Sequence, residues 1–136
     1  MDPARYIVEL FARFAKTTDP KAFGRLAEDL SARYLRLKGY RLRERNWRCR
    51  YGEIDLVAEK GDLLVFVEVK ARKGKEKGRP EEALTPQKQE KLLTLARHYL
   101  SLYKGSAGRV RFDLLAWDLS GPRPQLRHLK GVIEDG

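Results

Sequence analysis

The stretch Gly52–Lys70 constrains this chain more than any other. It reads Gly-Glu-Ile-Asp-Leu-Val-Ala-Glu-Lys-Gly-Asp-Leu-Leu-Val-Phe-Val-Glu-Val-Lys. One strand is predicted from about Glu53 to Ala58, apolar or β-branched between its acids. A second is predicted from Leu63 to Lys70, carrying the unbroken apolar run Leu63–Val67. Between them lies Glu59-Lys60-Gly61-Asp62, with a glycine where a short hairpin needs a positive φ.

Side chains alternate along a strand, so Glu53, Asp55 and Val57 share one face, and Leu64, Phe66, Glu68 and Lys70 share another. A turn centred on Lys60-Gly61 sets Glu53 opposite Glu68 and Asp55 opposite Phe66. Asp55 is then a diagonal neighbour of Glu68, about 7–8 Å away. Three carboxylates and one ammonium fall on one small patch. Two like charges about 4 Å apart repel by roughly 4 kcal/mol at an effective dielectric near 20. A hard divalent cation offsets that repulsion, because Mg²⁺ takes one or two carboxylates and keeps waters for a substrate phosphate. Asp55, Glu68 and Glu53 are the candidate ligands. Lys70 is placed to steady a phosphate or a water. The competing reading is a solvated, mixed-charge hairpin face.

At 136 residues the chain is the size of one domain and can bury a real core. It carries 29 Lys and Arg against 19 Asp and Glu, a net charge of +10. That excess calls for a polyanionic partner, nucleic acid or an anionic surface. No apolar run reaches membrane-span length and no signal peptide opens the chain, so a cytoplasmic location is expected. Cys49 is alone, which rules out a disulfide framework and a cysteine metal site.

Asp2-Pro3 opens an amphipathic helix marked by Ile7, Leu10, Phe11 and Phe14, with a break at Thr17-Thr18. This helix, residues 1–18, reads as an extension that packs on its own domain, pairs subunits or lies on a membrane. Residues 19–136 form the main domain. Asp19-Pro20 starts the next helix, whose stripe is Phe23, Leu26, Ala27, Leu30, Tyr34 and Leu37, and Gly39 ends it. By periodicity Glu28 falls off that stripe. Alternation predicts a strand over Tyr40–Asn46. The segment Asn46–Tyr51 interleaves aromatics with Arg48 and Arg50, which suits phosphate contact, base stacking or a strand end with snorkelling arginines. After Lys70 the composition changes: Arg72, Lys73, Lys75, Lys77 and Arg79 sit among glycines with almost nothing apolar. That segment predicts a mobile loop and a clamp on a nucleic-acid backbone. Thr85-Pro86 starts a helix with Leu92, Leu93, Ala96, Tyr99, Leu100 and Tyr103 on its apolar side, closed by Gly105. Arg109–Asp118 is a strand, Gly121–Pro124 a turn, and Gln125–Leu129 a short edge strand. The tail after Gly131 is expected to be loose.

Asp55 followed by Glu68-Val69-Lys70 resembles the D…E-x-K motif of the restriction-endonuclease-like superfamily. Gly39-Tyr40, Asn46-Trp47-Arg48, Gly52–Leu56 and Phe66–Lys70 together resemble the YraN-like bacterial family, which is similar to archaeal Holliday-junction resolvases. The resemblance spans roughly Phe23 to Asp118. It implies an α/β fold with a restriction-endonuclease-like core, a mixed central sheet flanked by helices. It also implies that Glu28 joins the metal site, that Lys88 reaches a phosphate, and that two subunits act together as a homodimer.

The two histidines, His98 and His128, have no metal-ligand spacing, and no nucleophile elbow, P-loop or dinucleotide fingerprint is present. The acid–lysine cluster alone offers a mechanism. The leading expectation is a Mg²⁺- or Mn²⁺-dependent nuclease acting on branched DNA, with RNA as the other substrate class. Asp55, Glu68, Lys70 and Glu28 form its catalytic set. The alternative is a non-catalytic nucleic-acid-binding or scaffold protein that keeps the fold.

Overall fold

The structure is a computed structural model that describes residues 3–16, 19–105 and 107–133. The helix start at Asp2, the break at Thr17-Thr18 and the last three residues of the tail lie outside the described residues. The element order is α1 (Pro3–Phe14), α2 (Pro20–Leu37), β1 (Arg41–Cys49), β2 (Gly52–Lys60), β3 (Leu63–Arg72), a 3₁₀ turn at Pro80–Ala83, α3 (Pro86–Leu102), β4 (Arg109–Asp118) and β5 (Gln125–Leu129).

The five strands form one sheet in sequence order. Strands β1, β2 and β3 meander antiparallel, β4 returns parallel to β3 after the α3 crossover, and β5 closes antiparallel to β4. Covering both faces makes the central strands apolar throughout, and seven consecutive residues of β3, Leu63–Val69, are buried. Helices α1 and α2 cover one face with Leu56, Ala58, Val65, Val67 and Trp117 beneath them. Helix α3 covers the other over Ile54, Val57, Leu64, Phe66 and Phe112.

The hairpin register differs from the sequence expectation. Val57, rather than Asp55, pairs with Phe66, and Lys60 pairs with Leu63. The loop is therefore the two residues Gly61-Asp62, with Gly61 at φ 60° supplying the left-handed position. Glu53 does not face Glu68; its cross-strand partner is Arg48 of β1. A register displaced by two residues keeps every side chain on its face, so the hydrophobic pattern alone could not separate the two turns.

Several helix assignments also shift. Leu37, placed on the α2 stripe by periodicity, is 50% exposed, and Phe14 of α1 is 60% exposed. Ser31, off that stripe, is fully buried and accepts from Trp117 Nε1 at 2.8 Å. Helix α2 packs on both the sheet and α1, so its buried arc is wider than a single stripe. The buried residues of α1, Ile7 and Phe11, reach the same core, where Phe11 lies 4.6 Å from Trp117 between ring centres. Helix α3 stops at Leu102, before Gly105. Strand β1 runs on to Cys49, because Trp47 and Cys49 pack against the α3-side core. Among the described residues no helix is long and apolar enough to cross a membrane.

Candidate active site

The hairpin loses its regularity where the acids begin. Ile54 belongs to the α3-side core and Leu56 to the α1/α2-side core, although residues two apart in a regular strand share a face. The β2–β3 pairing ends at Leu56–Val67, and one residue further the Asp55 carboxylate itself accepts the Val69 N–H at 2.8 Å. Across β1, Asn46 has φ 52°, the sole positive φ among the described non-glycine residues. An interrupted strand is bent out of its plane there, and a strained backbone of this kind is a pointer to function.

Around this break lies a cavity of about 720 Å³ lined by Glu28, Glu53, Asp55, Glu68, Lys70 and Lys88, among others. The four acids arrive from three elements. Glu28 comes from α2, which is fixed at its start by the Asp19 carboxylate accepting from Lys21 N at 3.0 Å, with Pro20 at the first position. Glu53 and Asp55 come from β2, and Glu68 and Lys70 from the end of β3. The Asn46 amide, oriented with its nitrogen toward the acids, donates to Glu28 Oε1 and Glu53 Oε1, both at 2.6 Å. Arg48 Nε meets Glu53 Oε2 at 3.1 Å.

Glu68 is the centre of the cluster. It is only 5% exposed. Burial first, then the Asp55 charge and a hydrogen bond to Asp55, push its carboxyl up to about 8. Lys88 and Lys70 act in the opposite direction, with Nζ atoms 3.5 and 4.0 Å from the two Glu68 oxygens. Glu28 is pushed up to about 7 by burial, then by Asp55 and Glu53, against Arg45. Groups poised near neutrality by burial and like charge mark functional sites more often than structural ones.

Lys88 stands in the first turn of α3. Thr85 caps that helix, its Oγ1 accepting from Lys88 N at 3.2 Å. A lysine there opposes the helix dipole, at a cost of about 0.3–1 kcal/mol. Its contact with buried Glu68 gives that placement a reason, and puts Lys88 in the acid cluster itself.

The other basic residues divide. Arg72, Lys73 and Lys77 line the cavity, whereas Lys75 does not. Arg79 pairs with Glu81 at 3.5 Å. Arg48 is engaged with Glu53, and Arg50 lies over the Tyr51 ring, 4.9 Å from its centre. Lys91 also lines the cavity. Sequence reasoning assigned no role to Lys91 or Asn46. The spacing of Lys91, three residues after Lys88 on one helix face, was the available signal; the φ of Asn46 had none.

Among the described residues no three His, Cys, Asp or Glu side chains converge closely enough to hold a metal ion between them. The donor set that fits a cation is the Asp55–Glu68 pair. Two carboxylates with water completing the shell is an ordinary Mg²⁺ environment, and Mg²⁺ rarely takes an all-protein cage. The buried carboxyl–carboxyl contact, which keeps a proton on Glu68 near neutral pH, is the observation a bound cation would relieve by taking that proton's place.

Comparison with known proteins covers this whole site. A UPF0102 protein of Rhodococcus opacus (strain B4) is 48% identical over 113 residues, spanning 82% of this chain and 96% of that protein. The UPF0102 protein of Nocardia farcinica (strain IFM 10152) is 42% identical over 120 residues, 88% and 94% of the two chains. That of Pelotomaculum thermopropionicum (strain DSM 13744 / JCM 10971 / SI) is 46% identical over 116 residues, 83% and 96%. Residues 27–116, from beside Glu28 to the core of β4, match the family as a whole, and the chain belongs to the uncharacterised protein family UPF0102.

Proposed function

We propose that this protein is a metal-dependent nuclease that hydrolyses phosphodiester bonds in structured DNA. The observation that carries the reading is Glu68: a buried carboxyl held against Asp55, flanked by two lysines, at a strand end that opens into a cavity with a basic rim. Burying like charges together is costly. A fold bears that cost at a site that uses it.

Asp55 and Glu68 would hold Mg²⁺ or Mn²⁺, with Glu53 as an outer neighbour. When bound, the ion supplies Lewis-acid stabilisation of the extra phosphate charge and acidifies a coordinated water. The residues of the chain do the rest. Lys70 and Lys88, freed from neutralising Glu68 once its charge is matched, present ammonium groups to the phosphate oxygens where negative charge accumulates. Glu28, with a pKa near 7, is suited to accept a proton from water at neutral pH. Asn46 ties Glu28 to Glu53 through its amide N–H groups. Arg72, Lys73 and Lys77 add sequence-independent attraction to the backbone. None of these groups reads a base edge, which favours a substrate chosen by structure, such as branched DNA. A restriction-endonuclease-like core is part of the same proposal and is supported by the strand order and by the acids at the β2–β3 break.

One observation favours a second reading, a binding module without catalysis. Lys70 and Lys88 already compensate Glu68, and no three-ligand group exists among the described residues. Incubating the protein with linear, flapped and four-way DNA and RNA under Mg²⁺, Mn²⁺ or EDTA separates the two. Cleavage that requires the metal supports the nuclease. Metal-independent binding with no cleavage of any substrate replaces it with the module.

A further inference from the structure

Beside the acid cavity the β1–β2 turn carries a group of aromatic rings that the chemistry above does not use. Tyr51 stands at the tip, 39% exposed. Its ring meets His98 of α3 edge-on, 5.4 Å between centres, and Trp47 lies 5.9 Å from the same imidazole. Trp47 is held from below by Tyr99, 5.2 Å away in a T-shaped contact. Arg50 lays its guanidinium over one face of Tyr51 and donates from Nη2 to the Tyr51 hydroxyl at 2.7 Å. A tyrosine that only packed the turn would bury its ring. This one is braced by His98 and layered by an exposed arginine.

The group is tied to the cavity rim. Gly52, the next residue, has φ 136°, and a side chain there would approach Lys91 Cε to 2.9 Å. The φ of Gly52 is what calls for glycine here, and the turn lies against the end of the Lys91 side chain. Lys91 lines the cavity, so one cation borders both features. Tyr51, in the turn, precedes Glu53 by two residues, which span at most about 7 Å of chain. A base resting on Tyr51 therefore belongs to a nucleotide next to the phosphate that the cavity accepts.

We infer that the Tyr51–Arg50 layer is a stacking platform for an unpaired nucleobase, and that the site takes single-stranded nucleic acid, or a strand unpaired beside the scissile phosphate, ahead of continuous duplex. The proposal rests on the nucleic-acid reading of the cavity and specifies its substrate class. A π-face stacks any base, so the platform carries no sequence preference. A paired base inside a duplex cannot offer its face to Tyr51 without leaving the stack, so the platform discriminates by strandedness. The adjacent arginine and Lys91 supply the charge that such a strand requires.

The test uses the full chain in EDTA, so that binding is read without cleavage. The probe is a short DNA strand with a single 2-aminopurine, offered alone, as the matching RNA strand, and annealed into blunt duplex. Wild type should bind the single strand at least about ten-fold more tightly than the duplex and quench the fluorescent base, as stacking does. Tyr51→Ala should weaken single-strand binding by roughly ten- to a hundred-fold, abolish the quench and leave duplex affinity within about two-fold. Tyr51→Phe should restore both signals, because the ring and not the hydroxyl does the stacking. The DNA and RNA arms show whether the platform distinguishes the sugars. Equal weakening of single strand and duplex by Tyr51→Ala, no effect on either, or a wild type that prefers duplex would each overturn the platform. Failure of the nuclease reading looks different: the quench and the strand preference persist in EDTA while no metal restores cleavage.

Discussion

Replacing Glu68 with Gln should remove most of the pH dependence of stability in the metal-free protein. Glu68 is buried against Asp55, and its carboxyl is pushed up from 4.5 to about 8, first by burial and then by Asp55. A carboxyl whose pKa rises on folding contributes stability that is complete below its unfolded pKa and is lost as pH rises through the folded one. The window is therefore about pH 4.5 to 8, with stability falling upward. One pKa unit corresponds to about 1.4 kcal/mol, which bounds the loss at roughly 5 kcal/mol. Relaxation and water entry around the ionised pair bring a realised loss to about 2–4 kcal/mol. For a domain of this size that is a fall in Tm of roughly 6–15 °C. Gln keeps the shape, can donate to Asp55 and does not ionise. Thermal melts in EDTA across about pH 5 to 8 should show the wild-type Tm falling and the Glu68→Gln Tm nearly flat, with a smaller residual slope from partly exposed Glu28. At pH 8 the variant should be the more stable protein. A wild-type Tm that holds or rises over this window, or a variant with the same slope, would refute the buried-pair argument.

Asp55→Asn and Glu68→Gln should each abolish Mn²⁺ binding by calorimetry while the circular dichroism stays native; wild-type affinity in either variant would remove that residue from the ligand set. Lys70→Ala should leave DNA and metal affinity within a few-fold yet slow single-turnover cleavage by roughly 10²–10³, and a loss confined to binding would favour the non-catalytic module. Neutralising Lys73, Lys75 and Lys77 together should flatten log K against log salt by about two to three phosphate contacts, with Lys75, outside the cavity, contributing least. Arg127→Ala should destabilise the fold by about 1–3 kcal/mol, because Arg127 ties Glu81 of the 3₁₀ turn to Asp118 of β4. Asp118, held down to about 2 chiefly by Arg127, gives stability that is present above its ordinary 3.8 and lost as pH falls toward 2; denaturation in acid should therefore begin at a higher pH in the Arg127 variant.

Local signals along the chain dictate the elements and the chemistry on offer. Alternation and the apolar run Leu63–Val67 mark the strands, and Asp19-Pro20 and Thr85-Pro86 mark the helix starts, because these signals act over a few residues of contiguous backbone. The order of elements determined the meander and the parallel crossover, since a helix between two strands returns the chain in the same direction. The acids, Lys70 and the basic run were equally visible. How they meet is set by packing between distant segments. The two-residue turn Gly61-Asp62 fixes a register that the hydrophobic pattern allowed in two forms. The end of the β2–β3 pairing beside Asp55 and the positive φ of Asn46 leave no mark in the alternation pattern of the chain. Glu28 looked solvated by its 3.6-residue phase, yet α2 is packed on two sides and turns that face inward. Lys88 and Glu68 are distant in sequence and touch only because the α3 crossover folds back over the end of β3. The proton affinity of Glu68 follows from that burial, so no reading of the chain in one dimension could supply it.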